Sequence, residues 1–590
     1  MDQAWFEMRD IRRRPVSEMV WIPVRSAWNI SKQGRHGYPG FSKEFFGLGS
    51  VAVPLSQRDE AERLSWNDIG LIYEHRSHAY RNSYKPADVY QYDEEQDLGI
   101  SLVIPQHFSD ETPPEWHLHQ DFIISLDLLR EKDTWVSPND GFLEVVKLKR
   151  DIDGHPIKID VRAEFLQDYL AARQMALRIT WYRQRIATVT DASFISWTNG
   201  RLNEDTAEER FEGQCWPAGE GGERLGSRVA LFRIWRTDVD HEVDVPRFGP
   251  ESENNTSHES HLFTRQSERT VFMVQGEVWR DEWIQPATHS VRIRGDDVPP
   301  TAYFFTDAGG AKESRATLRR EDVGKYLWFR GSIITTLLRY RGYSLDWHTR
   351  DTGSIGLNGC YRVHFGVNGL GLINAYAYDV ARLPDWQQQI WAGCNVTPEG
   401  GVSVELLAAQ MGPGPADTLP PEKLFNIALD ELNEAFSAHH GEPLLQTHNS
   451  TAEILRSLHR FRATDDAGLL ALAKDVARVT ADSMQKRALH AVVPPPKGEK
   501  WGSLKSLEKF LASRDKNADV HGLMSPLFGI YELRVGDAHL PSDKINEAFA
   551  LAGINRTLPA PLQGAQLLEV AACTLHRAAE IVCGQRDPTG

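Results

Sequence analysis

The hydrophobic period of this chain changes once, within MGPGPADTLPPEKLF (411–425), and that change limits what the chain can fold into. Beyond it, TAEILRSLHRF, DAGLLALAKDVARVTADSMQKRALHAV, SLKSLEKFLA, LMSPLFGIYELRV, DKINEAFALAGI and AQLLEVAACTLHRAAEIV follow in turn. Each carries apolar residues at i, i+3 and i+4, the spacing of an amphipathic helix. Short loops between such helices predict a compact antiparallel bundle over 451–590. A linker, 411–450, holds one further helix, EKLFNIALDELNEAFSAHH, which Pro420-Pro421 introduces because proline suits the first helical position.

Before residue 411, strand and helix patterns alternate. VWIPVRSAWNI (20–30) and RITWYRQRIATV have the β-branched and aromatic content of strands. GFLEVVKLKRDIDGHPIKIDVRAEF holds a hairpin around Asp153-Gly154, and AEFLQDYLAARQMAL is helical. Together these predict an α+β domain over 1–198. RVALFRIW, TVFMVQGEVW and a hairpin turning at Asn368-Gly369 predict a second α+β domain over 228–410, which either shares a core with the first or stands alone. EDVGKYLWFRGSIITTLLRY reads as a helix within it. The acidic, polar stretches 199–227 and 238–262 read as long exposed loops. The fold class is therefore α+β: a large N-terminal mixed α+β region followed by a C-terminal all-α helical bundle. A chain of 590 residues calls for three or four units, and its 17 Trp and 24 Phe supply large apolar surfaces for their cores.

Charge separates the same regions. The net charge is −16, yet 451–590 holds 18 Lys and Arg against 16 Asp and Glu, so the rest carries −18. Wholesale coating by nucleic acid is excluded for the acidic part, but not for the near-neutral bundle. No run of about 18 apolar residues marks a membrane span. MDQAWFEMRDIRRRP lacks the apolar core of a secretory signal, and a cytoplasmic protein is expected. Cys215, Cys360, Cys394, Cys573 and Cys583 are scattered without a C-x-x-C pair, which suits reduced thiols and neither a zinc site nor a disulfide framework.

Several motifs fail on spacing. His117, His119 and Asp121 in EWHLHQDF resemble metallohydrolase ligands, but EWHLHQDFIISLDLLREK reads as helical throughout, which turns His119 away from the other two. DVDHEVD (238–244) lacks the glycine and final Glu of a calcium loop. AGEGGERLGS (218–227) lacks Gly-Lys-Ser/Thr, and GVNGLG (366–371) sits in a hairpin instead of a strand-to-helix turn. No cofactor or metal is expected.

YELRVGDAHLP (531–541) is different. It closes the helix LMSPLFGIYELRVGDA, whose Leu523, Leu527, Ile530, Tyr531 and Leu533 are expected in the core, with Arg534 at the edge of the apolar stripe. Gly536 weakens the helix and Pro541 stops it. Metal-free RNA cleavage needs a base for the ribose 2′-OH, an acid for the leaving 5′-oxygen and a cation for the phosphorane. A histidine supplies the first two roles and an arginine the third. PPPKGEKWGSLKSLEKF (494–510) adds Lys497, Lys500, Lys505 and Lys509 around Trp501, a mix suited to phosphate contact and base stacking. The same residues also suit a Pro-rich connector and an amphipathic helix starting near Ser503.

Arg, four residues, then His near the end of a bundle helix resembles the active-site motif of the HEPN superfamily (higher eukaryotes and prokaryotes nucleotide-binding domains). The resemblance covers about 140 residues, here 451–590. It implies a small helical bundle that dimerises, bringing two motifs into one composite RNase cleft, and an effector role in bacterial antiviral defence or toxin systems. It further implies Arg534 as phosphate clamp, His539 as acid or base and Asp537 as orienting partner. RNA would then be the substrate, cut by transesterification, and the acidic α+β region would answer to a protein trigger or regulator. A non-enzymatic sensor or scaffold, binding a protein through the α+β region and dimerising through the bundle, remains the other reading.

Overall fold

The computed structural model describes residues 15–584 apart from 36–37, 63, 65–68, 70–77, 81–82, 86–88, 94–95, 107–113, 192, 206–208, 215–227, 237–271, 321–323, 358–360, 413, 415, 447–448 and 540–541. The mixed α+β region precedes a helical C-terminal region, and two compact units, Met1–Val298 and Pro299–Gly590, divide the chain.

The first unit is built around one long strand. β1 (Trp21–Gln33) and β2 (Ser42–Pro54) form an antiparallel pair. β3 (Pro156–Arg162) continues the sheet beyond β1 and is joined to Leu143–Arg150 through the expected hairpin at Asp153-Gly154, where Gly154 takes a φ of +88°. α1 (Ala163–Arg173) then leads into β4 (Met175–Val189), and Gln174 turns the chain in the left-handed conformation. β4 pairs along nearly its whole length with β2 on one side and with β5 (Phe272–Ile284) on the other. Covered on both edges, the strand is buried along most of its length: Ala176, Leu177, Ile179, Trp181, Tyr182 and Ala187 are buried, and so are the polar Arg178, Thr180, Gln184, Arg185 and Thr188.

Two expectations for this unit change. EWHLHQDF is not a helix from its start: Glu115–Leu118 is a strand paired with Val103–Gln106, and the helix begins only at Gln120. Trp116 and Leu118 are buried while Glu115 and His117 are less so, a period of two that overrides the helical reading. The 199–227 stretch is not simply a loop either. Arg201–Asp205 and Glu209–Gln214 are strands that extend the sheet through Arg228–Arg236. The backbone register sets position 205 opposite 210, 212 opposite 233 and 209 opposite 236, acidic against basic residues of the sequence in each case. The 238–262 stretch, including DVDHEVD, and the AGEGGERLGS segment lie outside the described residues.

The second unit joins a six-stranded sheet to the helical bundle. The sheet comprises β6 (Tyr326–Phe329), β7 (Tyr343–Trp347), β8 (Thr352–Leu357), β9 (Arg362–Val367), β10 (Ile373–Tyr376) and β11 (Asn395–Val396), in the order β7-β8-β9-β10-β6-β11. EDVGKYLWFRGSIITTLLRY, expected as one helix, splits into β6 and the short α2 (Ser332–Leu337). Leu327 and Phe329 face the core in alternation with Tyr326 and Trp328, so the first half obeys the strand period. The β9–β10 turn falls at Asn368 as expected, whose side chain accepts the Leu370 and Leu372 N–H groups at 3.0 Å each.

α3 (Val404–Met411) precedes the bundle of α4 (Pro421–His440), α5 (Asp466–Val479), α6 (Lys486–Val492), α7 (Ser503–Arg514), α8 (Val520–His539), α9 (Ser542–Leu551) and α10 (Ala560–Cys583). α4, expected in a linker, packs lengthwise against α10 and shares its core, Phe425, Leu429, Leu432 and Phe436 being buried with Leu567, Leu568, Ala571 and Leu575. Gly441 closes α4 with a φ of +77°.

A short turn, Arg460–Arg462, fastens the bundle to the sheet. Phe461 enters the sheet's core and stacks on Trp347 at 5.7 Å, with Phe365 edge-on to both. Gly353 lies opposite Trp347 and Phe365, where an added Cβ would sit 2.9 Å from the Phe365 ring. Arg460, 1% exposed, lies 4.4 Å over the Trp347 ring. Its guanidinium donates twice to Glu422 at 3.0 Å, to Asp351 at 3.0 Å and to the Arg350 carbonyl at 2.7 Å. Next to it, His459 is buried and its Nδ1 has no hydrogen-bond partner among the described residues. Burial drives its pKa down to about 4 despite the nearby Glu422 carboxylate, and the Arg462 and Arg460 cations push the same way as burial.

Removing one partner of a buried ion pair strands the other charge. Arg460→Ala should therefore lower unfolding stability by about 3–5 kcal/mol, measured by urea denaturation; an unchanged midpoint would exclude this fastening role. His459 gives a pH signature. The unfolded chain binds a proton below about pH 6.5, whereas the folded chain stays neutral there down to about 4. Stability should fall as pH drops through that window, by about 3 kcal/mol at most, and then level off. His459→Phe should flatten that slope in a series of denaturation curves across pH.

Candidate nucleic-acid interface at the end of a bundle helix

The helix that carries the arginine motif is the firmest local structure around it. Asp519 accepts the Gly522 N–H at 3.0 Å and so caps the start of α8. Met524, Leu527, Ile530 and Leu533 form its buried stripe. Leu523 is only half-buried and Tyr531 is exposed, so the stripe is narrower than the sequence suggests. Gly529 allows α9 to approach closely: a Cβ there would stand 2.3 Å from the Ala552 nitrogen. Backbone helix persists through His539 despite Gly536, and α9 starts at Ser542, Pro541 itself lying outside the described residues.

Arg534 lies at the bundle surface, as expected, with about a third of its side chain exposed. Nη1 donates to Asp482, a residue beyond the end of α5, and the guanidinium lies 5.2 Å over the Tyr531 ring one turn earlier. Sequence reasoning missed both partners. Tyr531 is expected in the core, and Asp482 is 52 residues away in a stretch that reads as one continuous helix, whereas the structure ends α5 at Val479 and starts α6 at Lys486. The side chains of Asp537 and His539 lie outside those the structure describes. Their backbone positions do bear on the motif. At about 100° per residue, positions 534 and 539 stand roughly 140° apart around the axis of α8.

The basic-aromatic patch lies elsewhere on the bundle. Lys497 and Lys500 are exposed on the loop before α7, and half-buried Trp501 donates to Glu499 at 2.8 Å with its ring edge-on to His490. Lys505 is engaged by Glu508 at 2.5 Å, and Glu508 also receives His521 Nδ1 at 2.9 Å. Burial opposes ionisation of Glu508, but Lys505 and His521 outweigh it and hold its pKa below the usual range. Because His521 lies in the first turn of α8, this network ties the patch to the opposite end of that helix from Arg534. Thirteen residues at 1.5 Å each separate them by roughly 20 Å. The structure therefore does not bring Lys505 and Arg534 into one pocket.

The motifs rejected on spacing are also accounted for, where described. His119 Nδ1 accepts the Asp121 N–H at 3.2 Å. Asp121 itself is held by Arg173 at 2.6 and 2.7 Å and by Tyr169 at 2.9 Å, and the Arg173 contacts bring its pKa down to about 2. Among the described residues, Asp151, Asp153 and His155 cluster on an exposed hairpin tip, where Asp151 Oδ1 accepts two backbone N–H groups of its own turn. No helix among the described residues is long and apolar enough to cross a membrane. Comparison with family models, curated proteins and solved structures gave no match to this chain.

The close contact at Gly529 tests whether α8 is as tightly seated as these distances say. Gly529→Ala should cost about 1–3 kcal/mol through overpacking, read from thermal or urea unfolding, whereas Gly393→Ala, inside the helix Asp385–Cys394 with nothing within 4 Å of the added carbon, should not destabilise the chain.

Proposed function

We propose that the C-terminal bundle is a HEPN-type RNA-cleaving effector and that the sheet-bearing α+β region governs when it acts. The observation that carries this reading is the setting of Arg534. At the last turns of a bundle helix, its guanidinium is held on an aromatic face and one carboxylate, and about a third of the side chain is exposed. In the proposed reaction the ribose 2′-oxygen attacks phosphorus and the 5′-oxygen leaves, giving a 2′,3′-cyclic phosphate. A base takes the proton from the 2′-OH, an acid delivers one to the 5′-oxygen, and Arg534 faces the charge on the phosphorane. The separation of positions 534 and 539 around α8 favours a cleft completed by a second copy, whose His539 would take the second proton-transfer role. Lys497, Lys500 and Trp501 would then contact a strand running along the bundle toward Arg534, and the proposal takes RNA as partner and a bacterial defence or toxin role as setting.

A second reading is favoured by the Arg534–Asp482 pair itself, which gives the arginine a purely structural role on the surface of a non-enzymatic sensor or scaffold. One comparison separates the two. Wild type, Arg534→Ala and His539→Ala are expressed in parallel and intact cellular RNA is measured. The nuclease reading expects RNA loss with wild type only, each variant being slower by about 10²–10⁴-fold. Equal RNA integrity in all three would overturn it in favour of the sensor.

A further inference from the structure

A cleft of about 500 Å³ opens within the second unit, and its lining carries three carboxylates against two arginines. One wall is the turn before β8, with Arg350 and Asp351, together with Glu405 in the first turn of α3. The other is the start of α10, with Glu569, and Arg460 forms part of the floor. Val367, Leu558, Leu562 and Ala565 supply apolar surface between the charges.

The two cations of the lining are already engaged. Arg460 is saturated by Glu422, Asp351 and a backbone carbonyl, and Arg350 reaches Glu569 at 3.3 Å. Glu405 is in a different position. One of its oxygens accepts the Thr349 hydroxyl at 2.6 Å and the Asp351 N–H at 2.8 Å, and the other accepts the Thr418 hydroxyl at 2.9 Å. Burial works against its charge, but these donors and the Arg350 field hold its pKa below the usual range. It is therefore an ionised carboxylate on the cleft wall with no ion-pair partner among the described residues. Its Thr418-bound oxygen makes one hydrogen bond, whereas a carboxylate oxygen has about two acceptor directions.

We infer that this cleft binds a small aliphatic cation, an alkylammonium or alkylguanidinium, with its charged head between Glu405 and Glu569 and its stem on the apolar wall. The volume is that of a small organic ligand and far exceeds a single metal ion. Asp351 and Glu569 are matched by Arg460 and Arg350, so the lining is acidic by the one charge of Glu405, which repels an anionic ligand and attracts a cation. The inference is independent of RNA chemistry at α8.

Isothermal titration of the full chain with spermidine and with agmatine tests it and separates ammonium from guanidinium recognition. Glutarate serves as the anionic control. Binding of at least one cation is expected, weakened about tenfold or more by Glu569→Gln and by Glu405→Gln, and unaffected by Glu434→Gln on an exposed position of α4. Glu569 gives up only the 3.3 Å contact to Arg350, so its variant remains informative even if Glu405→Gln disturbs the turn that Glu405 holds. No heat with either cation up to about 10 mM, tighter binding of glutarate, or equal weakening by Glu434→Gln would each overturn the proposal.

Discussion

The second unit depends on a buried guanidinium. Arg460 sits between an aromatic face from the sheet and a carboxylate from the bundle, and it also takes a carboxylate and a carbonyl from the turn before β8. Removing such a charge from water costs several kcal/mol, and attraction offsets that cost only when the geometry leaves few donors idle. Four hydrogen bonds from one guanidinium to three residues meet that demand. Such a cluster is better understood as a specifier of alignment than as a source of stability. An apolar plug of similar size would tolerate sliding between sheet and bundle, whereas this arrangement fits only when β7, the turn before β8 and α4 are all in register. His459, immediately before it, is buried, and its Nδ1 has no partner among the described residues.

The first unit solves its problem differently. β4 is paired over nearly its full length on both edges, so its backbone polar groups are satisfied by β2 and β5, and its buried polar side chains find partners on those strands, Arg185 with Glu44 and Gln184 with Glu277. That economy is visible in the chain itself: RITWYRQRIATV declares a strand without any tertiary information. The bundle is equally legible, because helical periodicity is local and Gly441, Pro420 and Pro541 mark its boundaries. What escaped was set by long-range pairing. Residues 201–214 look like solvated loop because their charges are read without the strand that matches them. β6 looks helical because Tyr326–Phe329 is short and followed by a real helix. Trp116 and Leu118 alternate over only four residues, too few to outweigh the helix that follows.

The candidate site divides along the same line. That Arg534 stands outside the apolar stripe follows from spacing along α8, and the structure agrees. That its carboxylate is Asp482 follows from how α5 packs on α8, which no local pattern encodes. Lys505 illustrates the opposite error: a lysine that looks available in a basic run is engaged by Glu508, a residue three positions away that also pairs with His521 from the next helix. Counting basic residues overstates the positive surface wherever an acidic neighbour sits one turn along.

Asp482 changes what Arg534 would be good for in the proposed reaction. A carboxylate beside the guanidinium weakens its attraction for a phosphate diester, which carries a single charge, and holds the side chain in one orientation on Tyr531. The phosphorane formed during transesterification carries more charge on the same oxygens, so the repulsion from Asp482 and the pull of Arg534 both grow at that stage. The outcome depends on distance: a clamp that comes nearer the phosphorane oxygens with Arg534 than with Asp482 contributes little to holding substrate and more to the charged intermediate, which is the difference that raises a rate instead of an affinity. The ion pair that suggests a structural arginine is for that reason also compatible with a catalytic one, and only the chemistry of the RNA distinguishes them.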